Sequence, residues 1–403
     1  MLGREMTVAQ LGGSAVVGVS TGLVVLAVEH LVEDVLHEID EAPLWVPAAA
    51  VVLGALVTAA LVHFVAGGSS ASTEVYVEEF HEEEATLNPR HAPGRLVAAF
   101  TTLGSGAPLG MEGPAVYTGS AVATILRRRV PALGVGAHNT LLVAAAAAGI
   151  AAVFKAPAAG AIFALEVPFR GRLAGERVLA AVIGSATGFM TMAALDGVKN
   201  ELEVPLVELT YSRAALAVVL GMVVGVAAIG VIWLIEQAER LTTRGSPGIR
   251  ALVAGGALAG LYAIGRGIAG ESLALQSGNK VIDWAVGGDH ALWLLIAVFG
   301  LRAVGPAVSI AGGGVGGLFI PLMAAGAVVG RLFADAASSD DLALYVTIGA
   351  AAMLGAGYAV PLTAVVFVAE YTGQATLIIP GLLAVAVARL VAGDRSVSAA
   401  QLR

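Results

Sequence analysis

From residue 11 to residue 392 the chain is almost wholly a series of apolar stretches, each at least about as long as a bilayer is thick: 11–32, 44–66, 95–126, 139–168, 178–195, 213–236, 249–268, 291–311, 316–334, 342–371 and 375–392. A helix needs roughly 20 apolar residues to cross about 30 Å of hydrocarbon. In that medium every backbone polar group must be satisfied within the protein, so packed helices are the solution open to such a chain. Charge agrees: Asp, Glu, Lys and Arg make up 13% of the residues, against roughly 25% in soluble domains. A water-soluble fold of this length could not cover its surface with so few. The predicted class is an all-α integral membrane protein of many passes in the lipid bilayer of the cell membrane, one transmembrane domain over 1–403. The net charge of −8 offers no basic footprint for nucleic acid. The absence of cysteine excludes disulfides, thiolate metal sites and cysteine nucleophiles, and neither metal nor cofactor is expected. Polar Met1–Gln10 leads straight into the first apolar stretch, which reads as a membrane helix and not as a cleaved signal. The chain ends soon after the last stretch, so no soluble regulatory domain is expected.

Several stretches are too long for one pass and carry Gly or Pro clusters at their middles, at Gly104–Pro114, Pro157 and Gly312–Pro321. Backbone broken at membrane depth is tolerated only where protein or a water-filled cavity covers it, so the breaks point to an interior path. Polar connectors lie at 69–94, 127–138, 169–177, 196–212, 237–248 and 335–341, the first including the acidic run Glu74–Glu84. Arg127, Arg128 and Arg129, with Arg170, Arg172 and Arg177, place two of these connectors in the cytoplasm by the positive-inside rule. The segment 139–168 between them is then a hairpin turning near Phe154–Pro157.

The two halves echo each other. Gly110, Pro114 and Gly119 have the same spacing as Gly317, Pro321 and Gly326. Further on, Pro157, Phe163 and Glu166 match Pro361, Phe367 and Glu370. Two landmarks in the same order and at similar separation indicate a duplicated unit, over about 10–200 and 210–395. Duplicated units in transporters are often inverted, with the substrate site near the midplane where discontinuous helices meet.

The run Leu103-Gly-Ser-Gly-Ala-Pro-Leu-Gly-Met-Glu-Gly-Pro-Ala115 carries the clearest chemistry. A glycine break followed by Pro114 at a helix start leaves backbone N–H groups unpaired at the helix N terminus, an end that favours an anion. Gly316-Gly-Leu-Phe-Ile-Pro321 repeats the device. Two such ends facing each other would hold an anion without a full positive charge and let it leave again. Glu112 could occupy that site as a tethered anion and withdraw on protonation. The alternatives are close helix packing for the glycines, as expected at Gly221–Gly225, Gly256–Gly260 and Gly326–Gly330, and an ion pair or exposed cap for Glu112.

Leu109-Gly-Met-Glu-Gly-Pro114 resembles the G-[KR]-E-G-P motif of the CLC chloride channels and chloride/proton exchangers, and Gly317-Leu-Phe-Ile-Pro321 resembles their G-x-F-x-P motif. Phe154-Lys-Ala-Pro157 with Gly160, Phe163 and Glu166 is similar to the family's F-x-A-P hairpin, and Pro361–Glu370 to its counterpart in the second half. The resemblance runs from about residue 50 to 402. It implies an inverted-repeat fold with many broken and tilted helices, a homodimer with one pore per subunit, and Glu112 as the external gating glutamate. It also implies anion contacts from the backbone N–H groups of Gly113, Leu318 and Phe319.

Three departures bear on mechanism. Met111 stands where the family has Arg or Lys, removing a cation from the outer mouth. Val167 stands where the exchangers carry a second glutamate that passes protons to the cytoplasm. Ser398 falls at the family's central tyrosine, which implies a wider or more hydrated inner gate. The serine-bearing motif is degenerate as Gly67-Gly-Ser-Ser-Ala-Ser-Thr73, with Ser69 as the favoured anion contact. Arg95 falls where the family has a lysine near the pore.

Lys155, at a hairpin break inside an apolar run, either raises the potential along the path or pairs with a carboxylate such as Glu166. Glu166 and Glu370 read as hydrogen-bonding groups at helix ends. Glu29, His30, Glu33, Asp34, His37 and Glu38 read as a solvated helix end, and Trp45, Trp284 and Trp293 as interfacial anchors. An intramembrane hydrolase is the rival outside transport, but His81-Glu-Glu-Glu-Ala85 lacks a second histidine and Gly184-Ser-Ala-Thr-Gly188 reads as packing; no enzyme is expected. Val167 and Ser398 favour passive or weakly proton-coupled flux of chloride or a similar small anion, with coupled chloride/proton antiport as the alternative.

Overall fold

The computed structural model describes residues 6–70, 72–82, 86–134, 136–198 and 210–402. Glu83 and Glu84 of the acidic run and most of the 196–212 connector lie outside the described residues. Among the described residues the secondary structure is helical, with no strand longer than an isolated bridge. The first half contains α1 (Val8–Glu41), α2 (Trp45–Phe64), α3 (Thr73–His81), α4 (Ala92–Gly104), α5 (Glu112–Arg129), α6 (Ala137–Phe154), α7 (Pro157–Glu166) and α8 (Val178–Asp196). The second contains α9 (Tyr211–Thr242), α10 (Pro247–Ala269), α11 (Asn279–Val286), α12 (Leu292–Ala311), α13 (Phe319–Ala336), α14 (Leu342–Gly357), α15 (Pro361–Thr372) and α16 (Ile378–Ala392). Nine helices among the described residues are long and apolar enough to cross a bilayer. Others, α7, α14 and α15, are apolar but shorter.

Each half is built around a helix buried on every side. In the first it is α6, whose Ala144–Ala148 run is all alanine, and it packs against α1, α5, α7 and α8. In the second, α14 packs in the same way against α9, α13, α15 and α16. Small residues permit this crowding, because lipid leaves helix association to van der Waals contact and close backbone approach. A Cβ on Gly184 would strike the backbone of Ala144, one on Gly330 the backbone of Tyr345, and one on Gly225 the side chain of Val391. Gly221 and Gly326 are crowded in the same manner. Gly256 and Gly260 are not: a Cβ on either would meet nothing within 4 Å among the described residues, so the packing role expected for that pair does not hold within this chain.

The hairpin in 139–168 forms as α6 and α7, turning at Lys155. Its partner is the α14–α15 hairpin, and the two short helices α7 and α15 lock head to tail. Glu166 at the end of α7 accepts hydrogen bonds from the N–H groups of Leu362 (3.0 Å) and Thr363 (2.8 Å) and from the Thr363 hydroxyl (2.7 Å), capping the start of α15. Glu370 in α15 accepts from the N–H groups of Ala158 (2.9 Å) and Ala159 (2.7 Å) at the start of α7. The helix-end reading of both glutamates therefore holds, and the exchange is reciprocal between the halves.

Replacing Glu166 with Ala would leave these donors without an acceptor in a buried position. We expect a loss of about 2–3 kcal/mol, seen as a lower thermal midpoint in detergent. Glu176→Ala, at an exposed loop residue, serves as the control; an equal midpoint for both variants would remove the capping role.

Candidate anion-binding site

The two glycine-rich breaks meet at the centre of the molecule. Gly110 N–H bonds the Gly317 carbonyl (2.9 Å) and Gly317 N–H bonds the Gly110 carbonyl (2.8 Å), a single antiparallel bridge between segments more than 200 residues apart. This clasp sets the N terminus of α5, which begins at Glu112, beside the N terminus of α13, which begins at Phe319. The start of α3 joins them: the Ser72 hydroxyl donates to the Gly316 carbonyl (3.2 Å), and a Cβ on Gly113 would strike that hydroxyl. Three buried helix N termini thus converge, each with first-turn N–H groups that have no acceptor in their own helix.

Glu112 is 0% exposed. Its Oε1 accepts a hydrogen bond from the backbone N–H of Phe319, while its Oε2 has no hydrogen-bond partner among the described residues. The carboxylate therefore occupies the end of α13 as a fixed anion. Leu318 N–H points at the phenolic oxygen of Tyr358 at 3.4 Å. Ser72, not Ser69, is the serine packed against Gly113 and Gly316; Ser69, three residues earlier, is only partly buried. The degenerate motif hid this, because spacing alone could not say where α3 begins.

Two cavities lie on either side. The first, about 430 Å³, is lined by Leu109, Met111, Phe154, Lys155, Ile320 and the polar face of α1 that carries Glu29, His30, Glu33, His37 and Asp40. Most of these residues are exposed near the end of α1, as expected of a solvated helix end, and they also form one wall of this cavity. Lys155 pairs with Asp196 (3.6 Å), not with Glu166, since it sits at the opposite end of α7 from that glutamate. The second cavity, about 500 Å³, is lined by Arg170, Glu236, Glu239, Asp394, Arg395 and neighbouring C-terminal residues. The charge bias expected to place Arg170 in the cytoplasm would make the first cavity the outer one and the second the inner one.

Arg95 donates to the Ala66 carbonyl (3.1 Å) and lies over the Tyr117 ring (4.7 Å), tying α4 to α5. Val167 is fully buried among apolar residues. Ser398 is 0% exposed, with its hydroxyl unbonded among the described residues. The sequence reading passed over Arg302. It is 1% exposed and donates to the carbonyls of Leu275 (3.2 Å), Gln276 (3.1 Å) and Ser277, holding the loop that walls the outer cavity. A buried arginine in an otherwise apolar helix was the available signal. Tyr358 was missed as well; one aromatic residue after an alanine- and glycine-rich helix has no sequence mark that sets it apart.

A Cβ on Gly317 would overlap the Glu112 carboxylate. A structure of Gly317→Ala is expected to show Glu112 withdrawn from the Phe319 N–H, whereas Gly256→Ala should leave it in place. A Glu112–Phe319 contact unchanged in Gly317→Ala would contradict the tight fit.

Comparison with known proteins agrees with this architecture. The family described as voltage gated chloride channel matches residues 53–393. The H(+)/Cl(-) exchange transporter ClcA of Citrobacter koseri is 30% identical over 419 residues, covering 97% of this chain and 87% of that protein. ClcA of Yersinia pseudotuberculosis is 28% identical over 417 residues, covering 94% and 83%. Among solved structures, a slow cyanobacterial Cl-/H+ antiporter superposes with a TM-score of 0.86 at 22% identity, covering 96% of this chain and 95% of that one. A CLC-type fluoride/proton antiporter gives 0.88 at 22% identity, covering 99% and 100%. With nine apolar spans among its described residues, its clasped helix breaks and a match over most of its length, the chain belongs to the voltage gated chloride channel (CLC) family of multi-pass membrane proteins.

Proposed function

We propose that the protein exchanges a small anion, chloride, for protons across the membrane, with Glu112 as the gate. One observation carries the reading: the Glu112 carboxylate is fully buried on the amide at the α13 N terminus. A helix end of this kind attracts one anion at a time. While Glu112 is ionised it competes with a diffusing anion for the same donors. Protonation removes its charge and its claim on the amide, and the site then takes the free ion. Anion occupancy and proton occupancy thereby favour each other, so that the two bindings are energetically linked. The donors in this proposal are the N–H groups of Gly113, Leu318 and Phe319 and the hydroxyl of Ser72.

Antiport is preferred to the passive flux that Val167 and Ser398 suggested. The relatives cited above are named as proton-coupled exchangers. Proton exit without a carboxylate at position 167 then falls to water or to other groups. The remaining parts of the proposal are a two-repeat architecture over 10–200 and 210–395 and a homodimer with one pore per subunit. The corresponding roles of α6 and α14, and the reciprocal Glu166 and Glu370 caps, support the repeat. The hydrolase alternative has no support from the relatives, which are transporters, and His81 is engaged by the Pro168 carbonyl (2.8 Å).

In liposomes, an outward chloride gradient is expected to drive proton uptake at a fixed ratio; chloride efflux with no proton movement would leave the passive reading standing. Repeating the assay with fluoride identifies the preferred anion. Flux should rise as pH falls, since protonation vacates the site. Glu112→Gln should carry chloride without protons and lose that pH dependence; an intact pH response in this variant would remove Glu112 from the gate.

A further inference from the structure

Tyr358 sits where the two halves and the C-terminal segment meet, and no sequence motif singled it out. It follows α14 and precedes Ala359, a non-glycine residue at φ +58°. The mirror position in the first half is Phe154, followed by Lys155 at φ +53°. A left-handed conformation costs an L-residue about 1–2 kcal/mol, so the surrounding packing must enforce it at both turns. Each turn carries one aromatic side chain toward the centre. Phe154 stacks on Phe319 (4.8 Å between centroids, 27°) and lines the outer cavity. Tyr358 is 2% exposed, packs edge-on to Phe163 (6.4 Å, 73°) and brings its hydroxyl to the Leu318 N–H (3.4 Å).

On the inner side the same residue is held by the C terminus. Its carbonyl accepts from the Gln401 side chain (2.9 Å), and the Gly357 carbonyl accepts from the N–H of Val397 (2.8 Å), a residue lining the inner cavity. Tyr358 therefore stands between the helix N termini and that cavity, and its hydroxyl lies within electrostatic reach of Glu112. The phenolic oxygen lies 3.4 Å from the Leu318 nitrogen and within reach of the Thr73 hydroxyl, and a phenol both accepts and donates. The Glu112 Oε2 is buried with no hydrogen-bond partner among the described residues.

We propose that Tyr358 is an anion ligand: its phenolic O–H donates to the ion held between α5 and α13, and its ring closes the inner side of that site. The assignment rests on the proposed function and adds a neutral donor from the side chain to those from the backbone. A neutral hydroxyl strengthens binding without the deep trapping that a cation would produce. It also discriminates by size, because a hydrogen bond to a small ion of concentrated charge is stronger than one to a large diffuse ion. Chloride is thus favoured over thiocyanate at this position.

The test is equilibrium anion binding to the purified full chain by calorimetry. Tyr358→Phe keeps the ring and removes only the donor. Chloride affinity is expected to fall about tenfold, in line with a hydrogen bond to a charged group, while thiocyanate affinity changes less. A change of less than twofold for chloride in the folded variant overturns the assignment and leaves the proposed function intact. If the wild-type chain neither binds chloride nor carries it in liposomes, the functional reading fails and this assignment with it. Should Tyr358→Phe not fold, crystals of the wild-type chain soaked in bromide decide: an anomalous peak within hydrogen-bond distance of Tyr358 Oη is expected, and a bromide peak at the helix ends but away from that oxygen overturns the proposal.

Discussion

A helix N terminus buried in a membrane protein must find an acceptor, and the architecture of this chain follows from that requirement. The first N–H groups of a helix have no partner within it, and hydrocarbon offers no water to supply one. The helices α3, α5, α7, α13 and α15 all begin inside the protein. Two of these beginnings, those of α7 and α15, are closed by Glu370 and Glu166 from the opposite half, with two or three hydrogen bonds to each carboxylate. At α5 and α13 the closure is weaker: one carboxylate, one amide, and a second carboxylate oxygen with no partner among the described residues. The same physical demand is met by fully bonded carboxylates in one place and by a singly bonded one in the other.

Geometry makes the difference. Glu166 and Glu370 lie near the ends of rigid short helices packed side by side, so they meet the partner helix with both oxygens. Glu112 is the first residue of its own helix, wedged between Gly110 and Gly317, where any side chain would collide with it. The glycines give the carboxylate access, and the mutual bridge between them keeps the two helix ends apart by a fixed distance. Low overall charge suits this design. Backbone dipoles, unlike lysine or arginine, favour an anion without holding it as tightly as a full charge would, and the buried cation Arg302 is spent on backbone carbonyls instead of on the path.

Much of the fold was legible in the sequence because membrane folding imposes length and polarity rules that one residue string can display. The apolar stretches, the breaks at Gly104–Pro114 and Gly312–Pro321 and the paired landmarks of the two halves all report local backbone chemistry. Glu112 was legible for the same reason: a carboxylate next to a glycine-flanked helix start has few other uses. Ser72 was not, since Ser69, Ser70 and Ser72 are equivalent until the first residue of α3 is known. Nor was the partner of Lys155, because Asp196 lies 41 residues on and meets it only through the packing of α8 on α6 and α7.

The sequence by itself therefore determined the solvent, the helices, their interruptions and the carboxylate beside them, all of which depend on neighbours along the chain. The tertiary structure decided what those interruptions face. Gly110 meets Gly317, Glu166 meets Thr363 and Tyr358 meets Leu318 across separations that no local pattern encodes. Hydrogen bonds and steric fit act within about 3–4 Å, so they are specified only once distant segments have been brought together.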